Sequence, residues 1–329
     1  MGPPYTSGVT ADIWFEVVGF GLGLLLGSFL NVCISRLPGH ESIVRPRSHC
    51  IACGHPIRWY DNVPVLSWVV LRGRCRDCGA GISWRYPAVE LGVGIWFAQV
   101  ASDLALQWEV NQPETLQVMK AVGAEPYSIA HRLPVLIGTA ILGFLLIGLM
   151  VMDWQTQRLP DAFTLTGIAI GFLLVCVQAF FLAPGQGDIV LNTTHQLRLS
   201  SPGSFQSQGN VFLTGTEALI MGRIAAIAGA ALILLAVRWI YKALRKREGM
   251  GLGDVKLLAM IAAFLGFGES LLALFAGVVT ASVYGVALIA RRKAGTETKL
   301  PFGSFLAAGG LFAALLGPMI VDWYASLLR

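Results

Sequence analysis

The chain has 329 residues, of which 55% are hydrophobic and only 13% charged, and its mean hydropathy is +0.66. That composition excludes a disordered chain or an ordinary soluble domain and is typical of a membrane protein. The formal charge of +5 comes from lysines and arginines gathered in a few loops, so it reports orientation in a lipid bilayer and gives no sign of a nucleic-acid partner.

Eight apolar runs fall at about 13–35, 88–107, 133–152, 162–183, 218–240, 255–267, 271–290 and 303–325. They predict an all-α polytopic membrane protein of about eight transmembrane helices. The loops 36–87, 153–161, 241–254 and 291–300 hold most of the positive charge, eight arginines in the first alone, whereas residues 1–12 carry none. The positive-inside rule places those loops in the cytoplasm and both termini outside. The first run has no basic region before it and no small-residue cleavage pattern, so it reads as a span and not as a cleaved signal.

Within the first span Gly19, Gly23 and Gly27 recur every four residues, which predicts one helix face packed closely on a neighbour. Asn31 near its end is placed to bond an adjacent helix or, alternatively, a substrate backbone. The region 36–87 is the one substantial soluble piece. It contains Cys50-Ile51-Ala52-Cys53-Gly54 and Cys75-Arg76-Asp77-Cys78-Gly79. Two such pairs predict a tetrahedral Zn²⁺ knuckle in which four thiolates leave no open position, hence a structural metal. A reducing cytoplasmic setting argues against disulfides. His49 and His55 flank the first pair, but four cysteines already close the site. Metal binding would supply folding energy that so small a region lacks. Cys33 and Cys176, inside spans, read as small core residues.

The arginines and aromatics of this region, Trp59, Tyr60, Arg72, Arg74, Trp84, Arg85 and Tyr86, read as anchors at the membrane surface. Glu90, just inside the second span, is expected to pair with an arginine. The external loops run from about 108 to 132 and from 184 to 217, the second polar and expected to be mobile. Asn192-Thr193-Thr194 in it is a short glycosylation-type match of little weight. No internal repeat is evident.

Asp153 ends the third span, and Leu159-Pro160-Asp161 opens the fourth. Pro160 suits a helix start and Asp161 favours that N-terminus, so Asp161 reads as a cap and Asp153 as the group for chemistry. The stretch Gly249-Met250-Gly251-Leu252-Gly253-Asp254-Val255-Lys256 opens the sixth span. Gly251 and Gly253 permit close helix approach, and Asp254 is an ionisable residue at the edge of hydrocarbon, a functional candidate by default. This span is about 12 residues, roughly 18 Å, too short for a ~30 Å core, which predicts a recessed Asp254. Lys256 does not share a face with Asp254 and is expected to reach lipid phosphate.

If Asp153 and Asp254 meet, the pair would share one proton: the ionised member activates a water and the protonated one polarises a peptide carbonyl. The alternative is two unrelated helix-end carboxylates, each with its own arginine.

Gly251-Leu252-Gly253-Asp254, Asp153 ahead of Leu159-Pro160-Asp161, Pro301-Phe302-Gly303 and the paired-cysteine loop together resemble the type IV prepilin leader peptidases, membrane aspartyl proteases of the Gly-x-Gly-Asp type. The resemblance runs from about Gly27 to Phe305. It implies a bacterial inner-membrane enzyme that cuts a basic leader from prepilins or pseudopilins on the cytoplasmic side. It further implies N-methylation of the new terminus with S-adenosylmethionine, Asp153 and Asp254 as the catalytic pair, and a cysteine loop belonging to the methylating form. The domains that follow are 1–35 with the first span, 36–87 with the metal, and 88–329 as the peptidase. No methyl-donor site is visible in the sequence itself. Two rivals remain: an ion-coupled transporter using the two aspartates, and a non-enzymatic pilus or secretion assembly factor, which would tolerate loss of either.

Overall fold

The computed structural model describes residues 6–110, 129–180, 215–246, 250–291 and 300–327, with a few isolated positions between them. Most of both external loops, Asn192 included, lies outside the described residues. Helices form at all eight apolar runs: α1 (Thr6–Arg36), α3 (Arg85–Val110), α4 (Ile129–Thr156), α5 (Asp161–Phe180), α6 (Gly215–Arg245), α7 (Leu252–Leu265), α8 (Phe267–Ala290) and α9 (Phe302–Leu327), with a short α2 (Leu66–Val70) in the cysteine region. Seven are long and apolar enough to cross a membrane. The eighth, α7, has 14 residues, about 21 Å, and ends inside the protein.

The chain divides into two compact units, one of Met1–Arg132 with Gly143–Gly148, the other of Leu133–Leu142 with Leu149–Arg329. In the first, α1 and α3 run antiparallel. The three spaced glycines face α3 so closely that a Cβ on Gly23 would lie 2.6 Å from the Val93 carbonyl and one on Gly27 2.7 Å from Glu90 Cα. Asn31 donates to the Tyr86 carbonyl at 2.9 Å, the helix-to-helix bond of the two readings. Among the described residues no arginine pairs with Glu90: the Val65 N–H donates to it at 2.7 Å and Ser28 adds a second bond. A carboxylate this deep needs donors, and a loop backbone supplies one as well as a guanidinium would.

In the second unit α7 is the core. Leu257, Leu258, Met260, Ile261, Ala262 and Ala263 are fully buried, enclosed by α5, α6, α8 and α9. Its C-terminus is met by a half-buried cation: Arg223 of α6 donates through Nη1 to the Ala262 carbonyl at 3.3 Å and interacts with Glu269 of α8. Helices α8 and α9 pack antiparallel through small residues, Gly285 beside Leu300 and Gly277 beside the Leu306 backbone. Of the glycines between these two helices Gly309 has the tightest fit, since an added Cβ would fall on the Ala273 carbonyl. A Gly309→Ala substitution should therefore cost about 1–3 kcal/mol through overpacking. Gly92→Ala, where an added Cβ meets nothing within 4 Å, should leave stability at or slightly above wild type. Thermal unfolding of the detergent-solubilised protein tests the pair; equal melting temperatures would contradict the packing.

Candidate active site and metal centre

Asp153 and Asp254 fall in the same unit, both buried, at 5% and 8% exposure. Each is held by the first turn of a helix. Asp254 is the third residue of α7, and its side chain accepts the N–H of Gly251, the residue that caps the helix. This is half of a capping box, with a carboxylate at the positive end of a helix. Asp153, near the end of α4, reaches the first turn of α9: Oδ2 accepts the Ser304 N–H at 2.7 Å and lies 3.0 Å from Ser304 Oγ. That hydroxyl also lies 2.9 Å from the Met150 carbonyl. With one proton it donates to one neighbour at a time, so Ser304 can donate to an ionised Asp153 or accept from a protonated one. An electrostatic interaction links Asp153 to Asp254.

Two glycines make this convergence sterically possible. A Cβ on Gly303 would sit 3.0 Å from Asp153 Oδ2 and 3.0 Å from Leu159 Cδ1, and one on Gly253 would sit 3.1 Å from Leu159 Cβ. Leu159 thus fills the space between the N-termini of α7 and α9. Pro160 precedes α5, its carbonyl accepting from Phe163 and Thr164. Asp161 opens α5 and is also an ion-pair partner. Lys256 does not reach for lipid: its Nζ lies 2.7 Å from Asp161 Oδ1. The two groups are part-exposed and near one another across helix ends, so the pair tethers α5 to α7 at a modest energetic gain.

The four cysteines converge as the spacing predicts. Cys50, Cys53, Cys75 and Cys78 place their sulfurs within 4.8 Å of one another, and Cys50 Sγ lies 3.8 Å from Cys78 Sγ. A tetrahedral ion with bonds of ~2.3 Å needs sulfurs about 3.8 Å apart, so the cluster fits one. Backbone N–H groups of Cys53 and Ala52 pull the Cys50 thiol down to about 6, while desolvation and the neighbouring sulfurs push Cys53 up to about 12, as expected when four thiols crowd together with no cation between them.

The two knuckles also form a repeat that the sequence reading missed. The Cys50 N–H bonds the His55 carbonyl and Gly54 N–H the Cys50 carbonyl; Cys75 with Ala80 and Gly79 with Cys75 do the same. Bridges His49–Pro56 and Arg74–Gly81 match too, and Gly54 and Gly79 share φ near +72°, where a side chain would be strained. The signal was there: cysteine, cysteine, glycine, isoleucine and tryptophan at 50, 53, 54, 57 and 59 recur at 75, 78, 79, 82 and 84. Around the knuckles two further arginines, Arg76 and Arg58, act inside the module. Arg76 binds Asp61 through Nε and Nη2, which holds the Asp61 carboxyl below the usual carboxylate range, and it lies over the Tyr60 ring. Arg58 bonds the Tyr60 hydroxyl and pairs with Asp77.

Two family profiles match the chain: the bacterial peptidase A24 N-terminal domain over residues 22–104 and the type IV leader peptidase family over 209–286. Prepilin leader peptidase/N-methyltransferases from Aeromonas salmonicida strain A449 and Aeromonas hydrophila are 30% and 31% identical to it, each alignment covering 95% of this chain and 94% of the relative. The chain belongs to the type IV leader peptidase family. The corresponding protein of Stutzerimonas stutzeri is 29% identical over 96% of this chain and 95% of its own. No solved structure matches significantly. In this family member the second profile contains Asp254, whereas Asp153 lies upstream of it.

Ser304 is the residue that sequence reasoning passed over, although it follows the quoted Pro301-Phe302-Gly303 directly. Ser304→Ala keeps the backbone N–H on Asp153 and loses the hydroxyl. Its turnover should fall about tenfold, less than for loss of either carboxylate, measured as initial rate on a family substrate; an unchanged rate would remove Ser304 from the site. Replacing Cys50 and Cys75 together by serine should take bound zinc from about one ion per chain to near none, read by elemental analysis of the purified protein. A metal-free wild type would overturn the metal centre.

Proposed function

We propose that this chain is a bacterial inner-membrane aspartyl endopeptidase. It removes the basic leader from type IV prepilins or pseudopilins at the cytoplasmic edge, with both of its termini outside, and methylates the new N-terminus. Family membership supports the substrate class. The observation that carries the mechanism is the convergence of two helix N-termini on Asp153 and Asp254 around Leu159.

Two adjacent carboxyl groups hold one proton between them more readily than both ionise. The ionised member takes a proton from water as its oxygen attacks the scissile carbonyl carbon. The other donates its proton toward the developing oxyanion and, in the collapse of the tetrahedral adduct, a proton passes to the departing amine. Ser304 can follow Asp153 through either protonation state. Zinc would be held by Cys50, Cys53, Cys75 and Cys78, closed to substrate, and would serve to fold the module. Domain boundaries at 36–87 for this module and 88–329 for the peptidase follow from the same reading.

Methylation is supported by the names of the relatives, with S-adenosylmethionine as the donor. The cavity in the cysteine module beside Tyr60, Asp61 and Arg76 has a volume of ≈ 100 Å³, smaller than the ~300 Å³ of typical ligand sites. It does not fit such a donor.

Asp153→Asn and Asp254→Asn should each lower cleavage by about 10³-fold, within the range for losing a general acid or base, without loss of membrane insertion. Mass spectrometry of a prepilin incubated with membranes, with and without S-adenosylmethionine, reads cleavage and an added methyl group together. Cleavage retained in either variant would favour a non-enzymatic assembly role.

A further inference from the structure

The first unit holds a buried carboxylate that the peptidase chemistry does not use. Glu90 lies about 7.5 Å along α3 from the helix start at Arg85 and is buried. The Val65 N–H donates to its Oε2, and Ser28 of α1 adds a bond. Among the described residues it has donors but no cation. An anion held that way at the edge of hydrocarbon is costly unless a positive group joins it.

The neighbouring amide has a matching need. Asn31, 3% exposed, follows Ser28 by three residues and so shares its face of α1. Its Nδ2 donates to the Tyr86 carbonyl at 2.9 Å, one helical turn ahead of Glu90. Only the nitrogen of an amide can bond a carbonyl, so the side chain has one orientation. Oδ1 is then buried with no donor, a state that native proteins seldom leave unfilled. Two acceptors on one seam, one of them charged, are met together by an ammonium, which brings a positive charge and up to three N–H donors.

The backbone over Glu90 is also unusual. Val65 has φ +58° and ψ −50°, and the Leu66 N–H bonds the Pro64 carbonyl across it. This is a γ-turn of the rare, strained hand, and a β-branched residue suits it poorly. Such strain persists where the surroundings fix it, and it gathers at functional sites. Here it aims one N–H at the carboxylate. Val63 and Leu66 on either side are exposed, so on this side a single turn of loop covers Glu90.

We propose that the Asn31–Glu90 seam is the amine site of the methyl transfer and receives the α-ammonium of the newly cut N-terminus when the turn at Val65 lifts. Glu90 takes one proton from the ammonium. The freed nitrogen pair bonds the methyl carbon of the sulfonium donor as the carbon–sulfur bond breaks and its electron pair passes to sulfur. The products are a methylammonium and a thioether, and Glu90 gives its proton to water. Asn31 Oδ1 accepts a remaining N–H and orients the nitrogen.

The proposal rests on the methylation reading above. Wild type and Glu90→Gln, which keeps the shape and an acceptor for the Val65 N–H, are compared as full-length proteins in lipid vesicles with a prepilin and S-adenosylmethionine. By mass spectrometry, Glu90→Gln should cleave within twofold of wild type and methylate at least 100-fold more slowly, as for loss of a general base. Methylation within twofold of wild type would overturn the site. An equal loss of cleavage and methylation would also overturn it, since a merely structural role predicts that. Binding reads the seam without turnover: a peptide with the mature apolar N-terminus should bind wild type at least tenfold more tightly than its N-acetylated form, and Glu90→Gln should lose that preference. A preference unchanged by the substitution sinks the amine site. A wild type that cleaves the prepilin but adds no methyl sinks the methylation reading and the proton-transfer step with it, and the peptide preference then decides alone whether the seam binds an amine.

Discussion

A carboxylate taken into hydrocarbon must find hydrogen-bond donors there or give up its charge. Here the donors come from helix beginnings, the one place where a backbone offers N–H groups without intrahelical partners. The first turn of α7 holds Asp254 and the first turn of α9 holds Asp153. Both helices must therefore start at the same place, and that requirement explains several residues that carry no charge. Gly253 and Gly303 are bare because Leu159 lies against both. Asp161 and Lys256 join the start of α5 to α7, so the connection carrying Leu159 is pinned from the far side.

A helix as short as α7 sets a second problem at its other end. At 14 residues it finishes short of its neighbours, and its last carbonyls need donors. The N–H of Gly266, whose φ of +103° suits a residue without a side chain, and Arg223 Nη1 both reach the Ala262 carbonyl. The guanidinium brings Glu269 with it as a counter-charge, since an unpaired cation at that depth would be costly. Arg223 and Glu269 thus serve the C-terminal end of one short helix. Their place at the opposite end of α7 from Asp254 argues against a continuous ion path, the feature a transporter would need.

The eight helices were legible because apolar run length is a strong signal, and the short sixth run was legible as short. The glycine stripe of α1 and the cysteine spacing also carried their meaning locally. What the sequence did not display were partners chosen across long separations. Lys256 reads as a lipid-facing lysine until Asp161, 95 residues away, is seen beside it. Glu90 reads as half of an ion pair until the Val65 backbone is found there. Ser304 has no distinguishing pattern, because its contribution is partly a main-chain N–H that any residue but proline would provide. The knuckle repeat is different: its signal lay in the sequence at a fixed offset of 25 residues and was masked by attention to the cysteines alone.

The depth of the site follows from helix lengths by two separate routes. Helices α7 and α8 join at Gly266 and contain 14 and 24 residues, so if they run side by side α8 extends about 15 Å beyond the start of α7. The α8–α9 register gives a second measure. Gly285 lies beside Leu300 and Gly277 beside Leu306, which sets Ser304 opposite the region of Thr280, again about 15 Å short of Ala290, the end of α8. Asp254 is located by the first route and Asp153 by the second, and both routes give the same level. A peptide bond reaching that level must come from a chain that is already apolar on one side of it. A soluble peptide would have to shed its hydration to descend so far, a cost that a segment already in the bilayer does not meet.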